Sequence, residues 1–234
     1  SAGGTHTAAI RTDGGLFTWG LNSSGQLGDN TTISKSSYAQ IGTSSWLAVA
    51  AGSAHSLGIK TDYTLWAWGL NNAGQMGDAT TVNKSSPVQI TALDYTNAVV
   101  NSWSKISTGG SHTAAIRTDN GLFTWGLNSS GQLGDGTTVV KSSPVQIGTS
   151  SWSSVSAGFT HTAAIRTDGS LFTWGYNAFG QLGDGTTVNK SSPVQIGTSS
   201  WTSVSAGGTH TAAIRTDAVL FTWGYNNVGQ LGDG

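Results

Sequence analysis

Cysteine is absent from this 234-residue chain, and so is glutamate: all 11 acidic residues are aspartate. Without cysteine there is no disulfide framework and no thiolate metal site. Charged residues make up only 9% of the chain and the formal net charge is −1. No basic patch stands out, so nucleic acid is not expected as a partner, because phosphate binding rests on clustered Lys and Arg. Methionine occurs once, and with glutamate missing and charges few, little remains of what favours helices. No apolar run has the length of a membrane-spanning helix, so no membrane insertion is expected. The opening Ser1-Ala-Gly-Gly has neither the basic nor the apolar stretch of a secretory leader, although a processed mature chain would look the same. What is plentiful is glycine (34 residues), with Ser, Thr, Asn and β-branched side chains. That mixture suits short strands joined by tight turns. The length allows a large core, burying roughly 70–75% of the unfolded chain's surface.

One long motif recurs five times. Its histidines fall at His6, His55, His112, His161 and His210, in steps of 49, 57, 49 and 49 residues. A period near 50 residues is the mark of a propeller, solenoid or array. Counted from five residues before each histidine, the units are 1–49, 50–106, 107–155, 156–204 and 205–234. The last has 30 residues and lacks the counterpart of 186–204. Both ends fall in mid-repeat, so the chain reads as one propeller domain, 1–234, cut from a longer array.

Each unit reads as four short strands. In the fourth these are 152–157, 160–167, 171–176 and 193–196. Asp168-Gly169-Ser170 is a turn between the second and third, and 177–190 is a long loop punctuated by Gly180, Gly183 and Gly185. Proline is expected at the start of the fourth strand, where it is tolerated. Four strands per unit with turns at fixed offsets describe a propeller blade. Ala163 and Ala164 are expected near the axis, where blades crowd. Trp19, Trp68, Trp125, Trp174 and Trp223 are expected as equivalent core residues. Trp46, Trp103, Trp152 and Trp201 form a second set, expected towards the outside of the blade.

The pattern His-Thr-Ala-Ala-Ile-x-Thr-Asp-Gly-x-Leu-Phe-Thr-Trp-Gly-x-Asn-x-x-Gly-Gln-Leu-Gly-Asp-Gly-Thr-Thr, followed by Pro-Val, resembles the RCC1 repeat (regulator of chromosome condensation). The resemblance covers the whole chain. It implies an all-β propeller, part of a seven-bladed ring, since seven units of 49 need more than the 234 residues present. The family includes a nucleotide-exchange factor for a small GTPase, ubiquitin-ligase modules and a secreted bacterial inhibitor. Their shared theme is protein binding on a propeller face, and the fold does not choose among them.

Repetition weakens any chemistry in the shared residues. The histidines each begin a strand in a different blade, so they ring the axis rather than converge at metal distances; a bond from each ring to a neighbouring loop is expected. Asp29, Asp78, Asp135, Asp184 and Asp233 lack the alternating acids of a calcium loop and are expected to cap their own turns. Asp13, Asp119, Asp168 and Asp217 are expected to do so in hairpins. Arg11, Arg117, Arg166 and Arg215, replaced by Lys60 in unit two, read as a solvated face. The Gly180–Gly185 stretch lacks the Lys-Ser/Thr and helix of a phosphate loop. No catalytic set, cofactor site or metal site stands out.

The breaks in the repeat are more informative. Phe159, Phe179, Tyr176 and Tyr225 stand in loops where sister units carry smaller or aliphatic residues, and exposed aromatics are what binding surfaces use. Unit two carries an insertion, 91–101, with Asp94 and Tyr95. The reading is a non-catalytic scaffold that binds a protein or surface macromolecule through loops, in an extracellular, cell-surface or virion setting. The alternatives are nucleotide exchange on a small GTPase, or a structural part of a phage or surface assembly containing further copies.

Overall fold

The alternating Thr-Ala-Ala-Ile and Leu-Phe-Thr-Trp runs do form antiparallel pairs, and they set the pattern of every blade. The structure is a computed structural model that describes residues 1–93 and 98–233. Blade 1 holds β1 (His6–Ile10), β2 (Leu16–Gly20) and β3 (Lys35–Gln40). Blade 2 holds β4 (Trp46–Ala51), β5 (His55–Lys60), β6 (Leu65–Gly69) and β7 (Lys84–Ile90). A two-residue hairpin follows, β8 (Ala92–Leu93) with β9 (Val99–Val100). Blade 3 is β10 (Trp103–Thr108), β11 (His112–Arg117), β12 (Leu122–Gly126) and β13 (Lys141–Gln146). Blade 4 is β14 (Trp152–Ala157), β15 (His161–Arg166), β16 (Ser170–Gly175) and the first part of β17 (Lys190–Ala206). The second part of β17 opens blade 5, which continues with β18 (His210–Arg215) and β19 (Leu220–Gly224). Among the described residues there is no helix.

Within a blade the strands pair in chain order. The first strand is the innermost: β4, β10, β14 and β17 touch in succession. Their ends, Ala51-Gly52, Thr108-Gly109, Ala157-Gly158 and Ala206-Gly207, line one narrow channel of about 200 Å³. Axial crowding therefore falls on these Ala-Gly and Thr-Gly pairs and not on Ala163 and Ala164. Those two lie in the second strand and, with period-two alternation, face opposite neighbours. In blade 3, Ala115 packs towards blade 2 and Ala114 towards blade 4. Small side chains there let adjacent sheets approach closely.

The two tryptophan sets meet. Trp46, Trp103, Trp152 and Trp201 begin the innermost strands and are buried, which corrects their expected outward place. Each packs edge-on against a tryptophan of the third strand in its own blade: Trp103 on Trp125 at 6.2 Å, Trp152 on Trp174 at 6.0 Å. Such edge contacts add about 0.5–1.5 kcal/mol beyond area burial. The proline expectation also changes. Pro193 is the fourth residue of β17, not the first. The register slips there, with Thr173 opposite Val194 but Gly175 opposite Lys190. This bulge in an outermost strand spares the proline from donating to a ladder.

The cores lie between blades. Leu171, Ile165, Trp201 and Ala213 form one cluster at the junction of blades 4 and 5. Leu171 is fully buried, whereas its counterpart Leu220 is 62% exposed on the uncovered face of blade 5. The same side chain thus tests what a neighbouring blade contributes. Leu171→Ala is expected to lower unfolding free energy by about 2–5 kcal/mol, and Leu220→Ala by less than about 1 kcal/mol. Urea unfolding of the two variants checks the contrast.

Candidate interaction surface

Every complete junction between blades carries the same polar lock. His112 Nε2 lies 2.9 Å from Thr162 Oγ1 in the next blade. That hydroxyl donates its only proton to the Gln132 carbonyl at 2.8 Å, so it accepts from the imidazole, which must carry its proton on Nε2. Trp174 Nε1–H donates to the same carbonyl at 3.0 Å. His6 with Ser56, His55 with Thr113 and His161 with Thr211 repeat the arrangement at 2.7, 3.2 and 2.9 Å. The partner is thus a strand hydroxyl of the next blade, not a neighbouring loop. Only one ring nitrogen is bonded; Nδ1 of each is buried without a partner. Burial pushes the histidines well below their ordinary 6.5, to about 3 for His55 and His112 and about 4 for His6 and His161. They are neutral at physiological pH and committed to the lock.

The aspartates are likewise engaged. Asn177 Nδ2–H donates to Asp184 Oδ1 at 3.0 Å and to the Thr186 and Val188 carbonyls. Its Oδ1 accepts from Leu182 N–H at 2.9 Å. Asp184 accepts from the N–H and hydroxyl of Thr186 and meets Lys190 Nζ at 3.4 Å. Burial opposes the charge on Asp29, Asp135 and Asp184. Bonds from the following threonine, with asparagine and lysine nearby, nonetheless hold each carboxyl below its usual range. The expected turn capping is present: Thr31, Thr80, Thr137 and Thr186 N–H each reach the aspartate two residues before. Among the described residues no three His, Cys, Asp or Glu side chains gather at a common point.

These clasped loops form a stiff base for their own tips. Glycines with positive φ make the close approach; at Gly134 (φ 78°) a Cβ would lie 2.7 Å from Trp174 Nε1. In blade 4, Tyr176 N–H bonds the Thr160 carbonyl at 2.9 Å, and Phe179 N–H bonds Gln181 Oε1 at 3.0 Å. The tip residue Phe179 is 44% exposed. Its ring stands 6.2 Å from Tyr176 and 4.5 Å from Tyr225 of blade 5. The structure therefore brings Tyr176, Phe179 and Tyr225 into one aromatic cluster spanning two blades. Val228, the counterpart of Phe179, is 80% exposed on the adjoining tip. Sequence reasoning passed it over because an isolated valine carries no signal.

Phe159 lies at the same end of the blades, since it directly precedes Thr160, but joins no ring pair with the cluster. It is 58% exposed at the channel mouth. Its N–H donates to the Gly207 carbonyl, and its own carbonyl accepts from Gly110 N–H. Asp94 and Tyr95 lie outside the described residues. The insertion that carries them leaves blade 2 at Ile90, opposite Leu65. That is the other end of the sheet from the Gly69-Leu70 loop, so its root is on the face away from the aromatic cluster.

The model for the RCC1-like domain matches residues 1–234. This chain belongs to the RCC1-like family. The RCC1-like chain is 30% identical to the ultraviolet-B receptor UVR8 of Arabidopsis thaliana over 150 residues, 63% of this chain and 33% of the receptor. Human WBSCR16 superposes with a TM-score of 0.83 at 27% identity, over 97% of this chain and 61% of that protein. Yeast RCC1 (Prp20), solved with Kap60 bound, matches with a TM-score of 0.61 at 20% identity, over all of this chain and 71% of its own length. The chain thus spans about a third of the receptor and three fifths of WBSCR16.

The histidine locks give the RCC1-like arc a defined acid response. The unfolded chain takes up protons on these histidines below pH 6.5, and the folded chain does not until about pH 4 at His6 and His161 and about pH 3 at His55 and His112. Their contribution to stability is whole above pH 6.5 and is lost as pH falls through that window. Each of the four is expected to cost about 1.4 kcal/mol per pH unit within it. Urea midpoints from pH 7.5 to 4 measure the slope, which His112→Asn is expected to reduce by about one proton.

Proposed function

We propose that this RCC1-like chain is a non-catalytic scaffold that binds a protein through the face carrying Tyr176, Phe179, Tyr225 and Phe159. The observation that carries the reading is Phe179, solvent-exposed yet wedged between two tyrosines from different blades. A preorganised aromatic group of this kind contributes contact area with little entropy left to lose. The repeated polar residues support the non-catalytic part. The imidazole Nε2 atoms are taken up in locks and the asparagine amides and aspartate carboxylates in clasps, whereas a catalytic site needs groups free to meet a substrate.

Relatives lend weight to protein binding in general terms. Yeast RCC1 was solved bound to Kap60, and the Saccharomyces cerevisiae Prp20p structure was described with its binding to Gsp1p and histones. Those partners belong to those proteins. A partner of this chain recovered by pull-down is expected to lose roughly 30-fold or more in affinity when Phe179 and Phe159 are both changed to Ser, the scale of hot-spot residues. The urea midpoint should stay within about 0.5 kcal/mol of the parent's equivalent stability. Undiminished affinity would place the binding surface elsewhere, and faster nucleotide release from a small GTPase would favour the exchange-factor alternative.

A further inference from the structure

The hairpin between the second and third strands of each blade holds a cation and an aspartate two residues apart, and the five copies do not behave alike. In blades 1, 3 and 5 the arginine grips its aspartate with two bonds. Arg11 Nε–H reaches Asp13 at 2.9 Å, Arg215 binds Asp217 at 2.9 and 2.6 Å, and Arg117 binds Asp119. The residue two beyond the aspartate is then Gly15, Gly121 or Val219, which offers only its backbone N–H. In blades 2 and 4 that residue is Thr64 or Ser170. The Thr64 hydroxyl donates to Asp62 at 2.6 Å. The N–H of Ser170 donates to Asp168 at 2.9 Å. In both of these blades the cation leaves the aspartate and settles on the nearest ring. Lys60 Nζ lies 3.7 Å from the Trp66 centroid and Arg166 Cζ 4.1 Å from that of Phe172. The three paired arginines stand 4.9–5.7 Å from their rings.

Arg166 opens onto a cavity. It lines a groove of about 610 Å³ between blades 3 and 4, with Trp152, Ser150, Ser192 and Pro193. Two other charges border the groove, and they neutralise each other: Lys141 meets Asp135 at 3.4 Å. The Arg166 guanidinium makes no ion pair, and its buried Nε has no acceptor. A flat cation stacked on a ring, with donors unused, is matched to a planar carboxylate.

We propose that this groove is a docking site for an acidic side chain of a peptide, whose carboxylate is bound by Arg166. A peptide fits better than an acidic polysaccharide because the unpaired cation does not repeat in the neighbouring grooves. Among the described residues the groove between blades 2 and 3, about 650 Å³, is lined by the Asp78 and Lys84 pair and by no arginine. Arg215, on the groove between blades 4 and 5, is held by Asp217. A polymer with a charge on every second sugar would meet one unpaired cation and then none. The site is separate from the aromatic cluster and does not depend on it.

The test follows the Arg166 Nε–H resonance in proton–nitrogen spectra of the chain. Ac-Gly-Glu-Gly-NH2 is expected to shift it and to bind roughly tenfold or more tightly than Ac-Gly-Gln-Gly-NH2. Arg166→Gln should keep its fold, read from the backbone amide resonances, and lose the shifts that the glutamate peptide causes in the amides of Ser150 and Trp152, which line the groove. Unchanged shifts in Arg166→Gln, or equal binding of the two peptides, would overturn the proposal. So would sodium sulfate acting as strongly as the glutamate peptide, which leaves a simple anion contact. Tighter binding of hyaluronan would reassign the groove to a polysaccharide.

Discussion

The bond from a histidine to the next blade's hydroxyl is what the rest of this architecture is arranged around. Apolar packing brings sheets together but tolerates sliding. The lock does not, because a single glutamine carbonyl must receive both a hydroxyl and an indole N–H from the following blade. It fixes the rotation of one blade on the next, and four copies of it set the curvature. The imidazole also dictates its surroundings. A Cβ on Gly158 would lie 2.6 Å from His161 Cε1, so the turn ahead of each histidine must be glycine. The glycine ring in turn lets the innermost strands converge on a narrow channel. Buried, half-satisfied imidazoles are stable only while neutral, and this ties the cohesion of the arc to pH.

A consequence is a division of labour along the repeat. Residues present in all copies spend their polar atoms on neighbours: histidine on the next blade, asparagine and aspartate on their own loop. Solvent meets what varies. At one end of the blades this is the aromatic cluster; at the rim it is an arginine stacked on a ring and without an ion pair. Both departures rest on a rigid frame, which is the condition under which exposed groups recognise a partner at low entropic cost. The likeness to yeast RCC1, at 20% identity, speaks to the frame.

How far these features were legible depended on whether they were local. The turn-capping role of Asp184 was readable because its partner is two residues away. The place of Trp152 was not, because Trp174 lies 22 positions on and meets it only when the sheet folds. Ala163 and Ala164 were read as axial from their size, yet smallness serves any close approach, and theirs is between sheets. Pro193 was placed at a strand start because a ladder excludes proline; the bulge opposite Thr173 and Gly175 removes that objection. The arginines were read as one solvated face. What separates Arg166 from them is its distance to a ring and to a carboxylate, which only the folded hairpin supplies.

The sequence by itself determined the architecture. A period of 49 residues, two-residue alternation and glycines at fixed offsets leave few folds other than stacked four-stranded blades, since each unit can bury its apolar faces only against another. It also marked Phe159, Phe179, Tyr176 and Tyr225 as departures from the pattern. Tertiary structure alone decided which of these act together. Tyr176 and Tyr225 are 49 residues apart, and only the rotation between blades, fixed by the histidine lock, carries both to Phe179 while leaving Phe159 at the channel. The same rotation opens the groove at Arg166, because contacts between blades belong to the arc and not to any one repeat.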